Sequence, residues 1–129
     1  MKKLLLLSLI VCFLIPAVNA QLANTKWAGT INVLMQDNST SATDVTWSFG
    51  KDTVSVLIKD SNDPELLTYT VKKGVIIMTK VTGESPCNVG TTVKVKFQVK
   101  GNELYFMQAE SECEAYSKAI TDKPAIKIK

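Results

Sequence analysis

Thr92-Val93-Lys94-Val95-Lys96-Phe97-Gln98-Val99-Lys100 is the stretch that decides the fold. Apolar and polar residues alternate through it without a break. A β-strand turns successive side chains to opposite faces, so Val93, Val95, Phe97 and Val99 meet a core while Lys94, Lys96, Gln98 and Lys100 meet water. Lys100-Gly101-Asn102 then turns the chain into a second run, in which Leu104 and Phe106 face with Gln108, and Tyr105, Met107 and Ala109 take the other side. The pattern predicts an antiparallel hairpin.

The same period recurs towards the N-terminus. Trp27, Gly29, Ile31 and Val33 share one face of a strand from Lys26 to Leu34, and a polar loop follows from Gln36 to Thr43. Val45, Trp47 and Phe49 lie together on the next strand, and Gly50-Lys51-Asp52 turns it into a third, which carries Val54, Val56 and Ile58. Asp60-Ser61-Asn62-Asp63-Pro64 is a turn, Leu67, Tyr69 and Val71 mark strand four, and Lys73-Gly74 leads into strand five, Val75 to Lys80. The loop Thr82 to Gly90 contains Cys87. After Ser111, Cys113, Tyr116, Ala119 and Ile120 fall at helical spacing, and Lys123-Pro124 separates them from a last strand, Ala125 to Lys129.

Eight short strands with no long crossover define an all-β chain. Such strands either pack as a sandwich or close into an antiparallel up-and-down barrel, with the short helical turn before the last strand. Closure removes exposed strand edges, which favours the barrel.

Residues 1–20 stand apart. Met1-Lys2-Lys3 is followed by an apolar run from Leu4 to Ile15, a break at Pro16 and the small-residue site Val18-Asn19-Ala20, which reads as a secretory signal peptide. The run is well short of the ~20 residues that span a bilayer. Cys12 lies inside it rather than behind a small residue, so lipidation is the weaker alternative. The remaining 21–129 make one domain, with thirteen lysines against twelve acids. A balance so close to neutral supports neither nucleic acid nor an anionic membrane as a partner, and no integral membrane span is expected. The short, lysine-headed leader points to a bacterial envelope, either periplasmic or extracellular.

Chemistry is limited by what is missing. The chain has neither His nor Arg, which removes the commonest general base, the commonest metal ligand and the bidentate anion fork. Cys87 and Cys113 are an even pair once Cys12 departs, and in an exported protein such a pair reads first as a structural disulfide; neither a Cys-x-x-Cys spacing nor a His supports a redox or zinc pair. Glu110, Glu112 and Glu114 read as solvated residues at a helix start. Asp60, Asp63 and Glu65 lack the spacing and glycine of a calcium loop and read as a turn. Catalytic and metal sites are not expected, no cofactor is implied, and the chain is not expected to be an enzyme.

Asn24-Thr25-Lys26-Trp27-Ala28-Gly29 on the first strand and Glu112-Cys113-Glu114 after the seventh give the chain a resemblance to the small lipocalin-like (calycin) proteins of bacterial envelopes. In the wider family a Trp near the start of the first strand closes the barrel floor, with a Gly two positions before it and a late Arg packed over the ring. Trp27 matches the Trp, Thr25 stands in place of the Gly, Gly29 falls two positions after instead, and Tyr116 is the candidate lid in the absence of any Arg. The resemblance also implies that the cysteines tie the helical segment to the loop before strand six.

The resemblance further implies a ligand cup. Six inward aromatics, Trp27, Trp47, Phe49, Tyr69, Phe97 and Phe106, are its candidate lining. An eight-stranded barrel is just wide enough to be filled by side chains or to hold one small ligand, so these residues are either plain core or the wall of an apolar pocket. Two functions follow. One is a binding protein holding a small apolar ligand in the barrel; the other is an envelope protein-binding or enzyme-inhibitor module acting through its loops, Gln36 to Thr43 or Asp60 to Glu65.

Overall fold

The computed structural model describes residues 21–129. The expected signal peptide, Met1 to Ala20 with its Cys12, lies outside the described residues. Alternation produces eight antiparallel strands: β1 Thr25–Leu34, β2 Thr40–Phe49, β3 Thr53–Ile58, β4 Glu65–Lys72, β5 Val75–Thr82, β6 Thr92–Lys100, β7 Glu103–Ser111 and β8 Ala125–Ile128. They follow one another round a closed barrel in sequence order. A single-turn helix, α1 (Glu114–Ser117), lies between β7 and β8. Among the described residues no helix is long and apolar enough to cross a membrane.

One end is packed solid. Trp27, Phe49, Val54, Tyr69, Ile76 and Leu104 are buried there, and Leu22, just before β1, is buried beside them. The polar edges of the aromatics are satisfied. Trp27 Nε1 donates to Thr25 Oγ1 at 2.8 Å, and the Tyr69 hydroxyl donates to the Gly50 carbonyl at 2.6 Å. Burial raises the Tyr69 pKa above its ordinary value, with the Asp52 charge adding to the effect. Gly29 lets the closing strand in: a Cβ there would sit 3.0 Å from Ala125 Cβ. Lys73 and Gly74 both take positive φ, 52° and 75°, as the tight β4–β5 turn requires.

Two irregularities change which side chains face inward. In β7, Phe97 pairs with Phe106 but Lys96 pairs with Gln108, so Met107 is an extra residue. An extra residue reverses the alternation beyond it. Gln108 is therefore exposed and Ala109 packs on the core, a correction to the faces expected from unbroken alternation. In β5, Leu67 pairs with Lys80 and Leu66 with Thr82, which leaves Val81 as the extra, exposed residue and Lys80 inside with Ile76 and Met78.

The loop expected from Gln36 to Thr43 is also shorter. Thr40 to Thr43 pair with Leu34 to Ile31, and Met35 N donates to Ser39 O at 2.8 Å to close the turn. Backbone pairing here outweighs side-chain polarity, because the β-branched Thr40 and Thr43 suit a strand even where their side chains meet water.

Candidate functional site

The other end of the barrel is hollow. β8 pairs with only Lys26 to Ala28 of β1 and with Glu103 and Leu104 of β7, so the upper parts of β1 and β7 have no strand between them. The segment containing α1 fills this gap as a strap. Asn32 N donates to Ala119 O at 2.7 Å, Asn32 Nδ2 reaches Ile120 O at 3.4 Å, and the hydroxyls of Thr30 and Thr121 are 3.2 Å apart. Beneath the strap lies a cavity of about 300 Å³. Ile31, Val33, Trp47, Val56, Leu67, Met78 and Val95 form its walls, and Ala115, Tyr116, Ala119 and Ile120 of the strap close its side. Its rim carries Ser61, Asp63, Glu65, Glu84, Ser85 and Pro86.

A polar knot stands where the rim meets the strap. Lys80 is 3% exposed, and its ammonium is fully engaged: the Cys87 carbonyl at 2.7 Å, the Ser85 carbonyl at 3.0 Å, Ser85 Oγ at 3.1 Å and Glu65 Oε1 at 3.3 Å. A buried ammonium demands such partners, since an unpaired one would cost several kcal/mol. Glu65 Oε2 accepts a 2.7 Å hydrogen bond from the Tyr116 hydroxyl, and Ser85 N donates to Oε1 at 3.3 Å. Burial first, then the bond to Glu65, holds the Tyr116 pKa well above the ordinary phenol value. Tyr116 is therefore neutral and a donor. The Cys87–Cys113 disulfide, Cα atoms 5.7 Å apart, ties the loop of Lys80's partners to the start of α1. Strap, rim and β5 are thus joined by one covalent and several polar links.

Of the six aromatics expected to line a cup, all lie in or against the core, yet only Trp47 is in the cavity wall. Phe106 packs against Trp47 in a tilted arrangement, ring centroids 4.9 Å apart. Phe49 meets Tyr69 edge-on at 5.2 Å, and Trp27 and Phe97 complete the packing outside the wall. Core and cup are both present, at opposite ends.

Two further expectations need correction. Tyr116 is not the lid over Trp27, because it is committed to Glu65 at the other end; Lys127, paired with Trp27 across β1 and β8, lies with its Nζ 5.9 Å from the Trp27 ring centroid. Glu65 is more than a turn residue, since it anchors both Lys80 and Tyr116. Sequence reasoning missed Lys80 altogether. The signal was parity: Lys80 shares the face of Ile76 and Met78, as Glu65 shares that of Leu67 and Tyr69. Compared with known proteins, the chain matches no family model, no curated sequence and no solved structure.

Proposed function

We propose that the chain is an exported, lipocalin-like binding protein that carries a small apolar ligand in its barrel, without catalysing a reaction. The observation that carries this function is the apolar cavity of about 300 Å³ beneath the strap. At about 30 Å³ per water-sized group, it takes on the order of ten non-hydrogen atoms. The Lys80 knot supports binding rather than catalysis, because each of its polar groups is engaged by another. The lipocalin-like character draws further support from a late cation over the floor Trp, here Lys127 over Trp27, and an envelope location from the disulfide.

Trp47 provides the test, since it lies in the wall whereas Trp27 lies in the floor. Titration with octanol should change the intrinsic fluorescence and raise Tm in the native protein, and the fluorescence change should vanish in Trp47→Phe. If octanol alters neither emission nor Tm, the cavity is not a ligand site.

A further inference from the structure

The charges around the cup are of one sign. Asp63, Glu65 and Glu84 lie on its rim, and none of the thirteen lysines of residues 21–129 lines it. Lys80 and Lys118 are each held in an ion pair. Lys80 lies behind Glu65 with its ammonium bound to two carbonyls, a hydroxyl and that carboxylate, and Lys118 pairs with Glu114 on α1. The lining itself therefore offers no cation to an anionic head group. Among the described residues, no lysine pairs with the exposed Asp63 or Glu84. Glu65 retains acceptor capacity too: a carboxylate offers about four lone-pair sites, and Lys80, Ser85 N and Tyr116 occupy three.

We propose, on the basis of the binding function above, that the ligand is a small amphiphilic amine, with its apolar body in the cup and its ammonium among Asp63, Glu65 and Glu84. Charge complementarity selects this class over the fatty acids that an apolar cup would otherwise admit. A carboxylate head would sit beside three like charges with only one, already engaged, cation behind them. An ammonium meets the same carboxylates as opposite charges, and its three donors match the spare acceptors. The chain as a whole gives no such bias, because its lysines outnumber its acids; the selectivity is local to the rim.

Three probes of one chain length separate the proposal from the function it rests on. Octylamine, octanol and octanoate are titrated at pH 7 and low salt into the protein with its disulfide intact. Octylamine should bind about tenfold more tightly than octanoate, with octanol between, as expected for a few partly exposed charge pairs. In the double variant Asp63→Asn, Glu84→Gln the preference for amine over carboxylate should shrink to about threefold. Both side chains are exposed, so the fold is kept. Adding about 0.5 M NaCl should narrow the gap in the native protein through screening. Octanol binding with no preference for the amine over the carboxylate refutes the charge assignment and leaves the cup. A preference that persists undiminished in the double variant and in salt also refutes it. If none of the three binds, the binding function itself fails and this assignment with it.

Discussion

Replacing Lys80 by Met keeps most of the buried stem and removes the charge. In the native fold the ammonium holds Glu65 Oε1 at 3.3 Å, the Cys87 carbonyl at 2.7 Å and the Ser85 carbonyl at 3.0 Å. Breaking a fully buried ion pair by deleting one partner costs ~3–5 kcal/mol, because the other charge is left buried. Glu65 is 15% exposed and keeps its bonds from Tyr116 and Ser85 N, so water and protein soften that penalty to about 2–3 kcal/mol. The orphaned Cys87 carbonyl adds about 1 kcal/mol. The expected loss is therefore roughly 3–4 kcal/mol, a large part of the ~5–15 kcal/mol by which small domains are stable. Urea unfolding at pH 7, followed by tryptophan emission and far-ultraviolet circular dichroism, measures it as a lower midpoint. Adding Glu65→Gln to Lys80→Met should recover about 1–2 kcal/mol, because no lone charge then remains. A loss under about 1 kcal/mol for Lys80→Met, or strictly additive effects of the two substitutions, would refute the assignment of this pair as a buried, coupled unit.

Replacing both Cys87 and Cys113 by Ser opens a loop of 26 positions; loop-closure entropy predicts a loss of ~3.5 kcal/mol, and measured cases bracket ~2–4, with the β-sheet spectrum retained. Denaturant midpoints with and without the substitutions check this. Tyr116→Phe removes the donor to Glu65 and should cost about 1–2 kcal/mol near pH 7. Because the folded pKa of Tyr116 is raised, its contribution is whole below the unfolded value of ~10 and is lost as pH climbs towards the folded one. Stability measured from pH 8 to 11.5 should therefore fall more steeply in the native protein than in Tyr116→Phe. Gly29→Val would drive a side chain into Ala125, 3.0 Å from its Cβ, and should lower stability by about 1–3 kcal/mol by displacing β8; thermal unfolding reports it, and Ala125→Gly in the same chain should return part of the loss.

Much of the barrel is legible before folding because strand alternation is a local property. Val93, Val95, Phe97 and Val99 point inward whatever their partners, since successive side chains of a strand leave opposite faces. Strand number and the turns at Gly50-Lys51-Asp52 and Lys73-Gly74 are legible on the same terms, and the pairing of the two cysteines of residues 21–129 follows from their even count. What the tertiary structure decided depends on where distant strands meet. The extra residue Met107 reverses the faces of Gln108 and Ala109 only because β6 holds Lys96 opposite Gln108. Lys80 looks like the solvated end of a strand until β4 carries Glu65 to it and the Ser85 to Cys87 loop folds back over its ammonium. Of the aromatics expected to line the cup only Trp47 does so, with Phe106 against it, while Trp27, Phe49 and Tyr69 gather at the end that Leu22 and the short strand β8 help to close, and the hollow end is flanked by a strap whose contacts with β1 join residues about ninety positions apart. Alternation states that a side chain faces inward, but not how far along the axis it stands or what fills the space beside it. Those depend on register and closure, which arise from hydrogen bonds between segments remote in the chain.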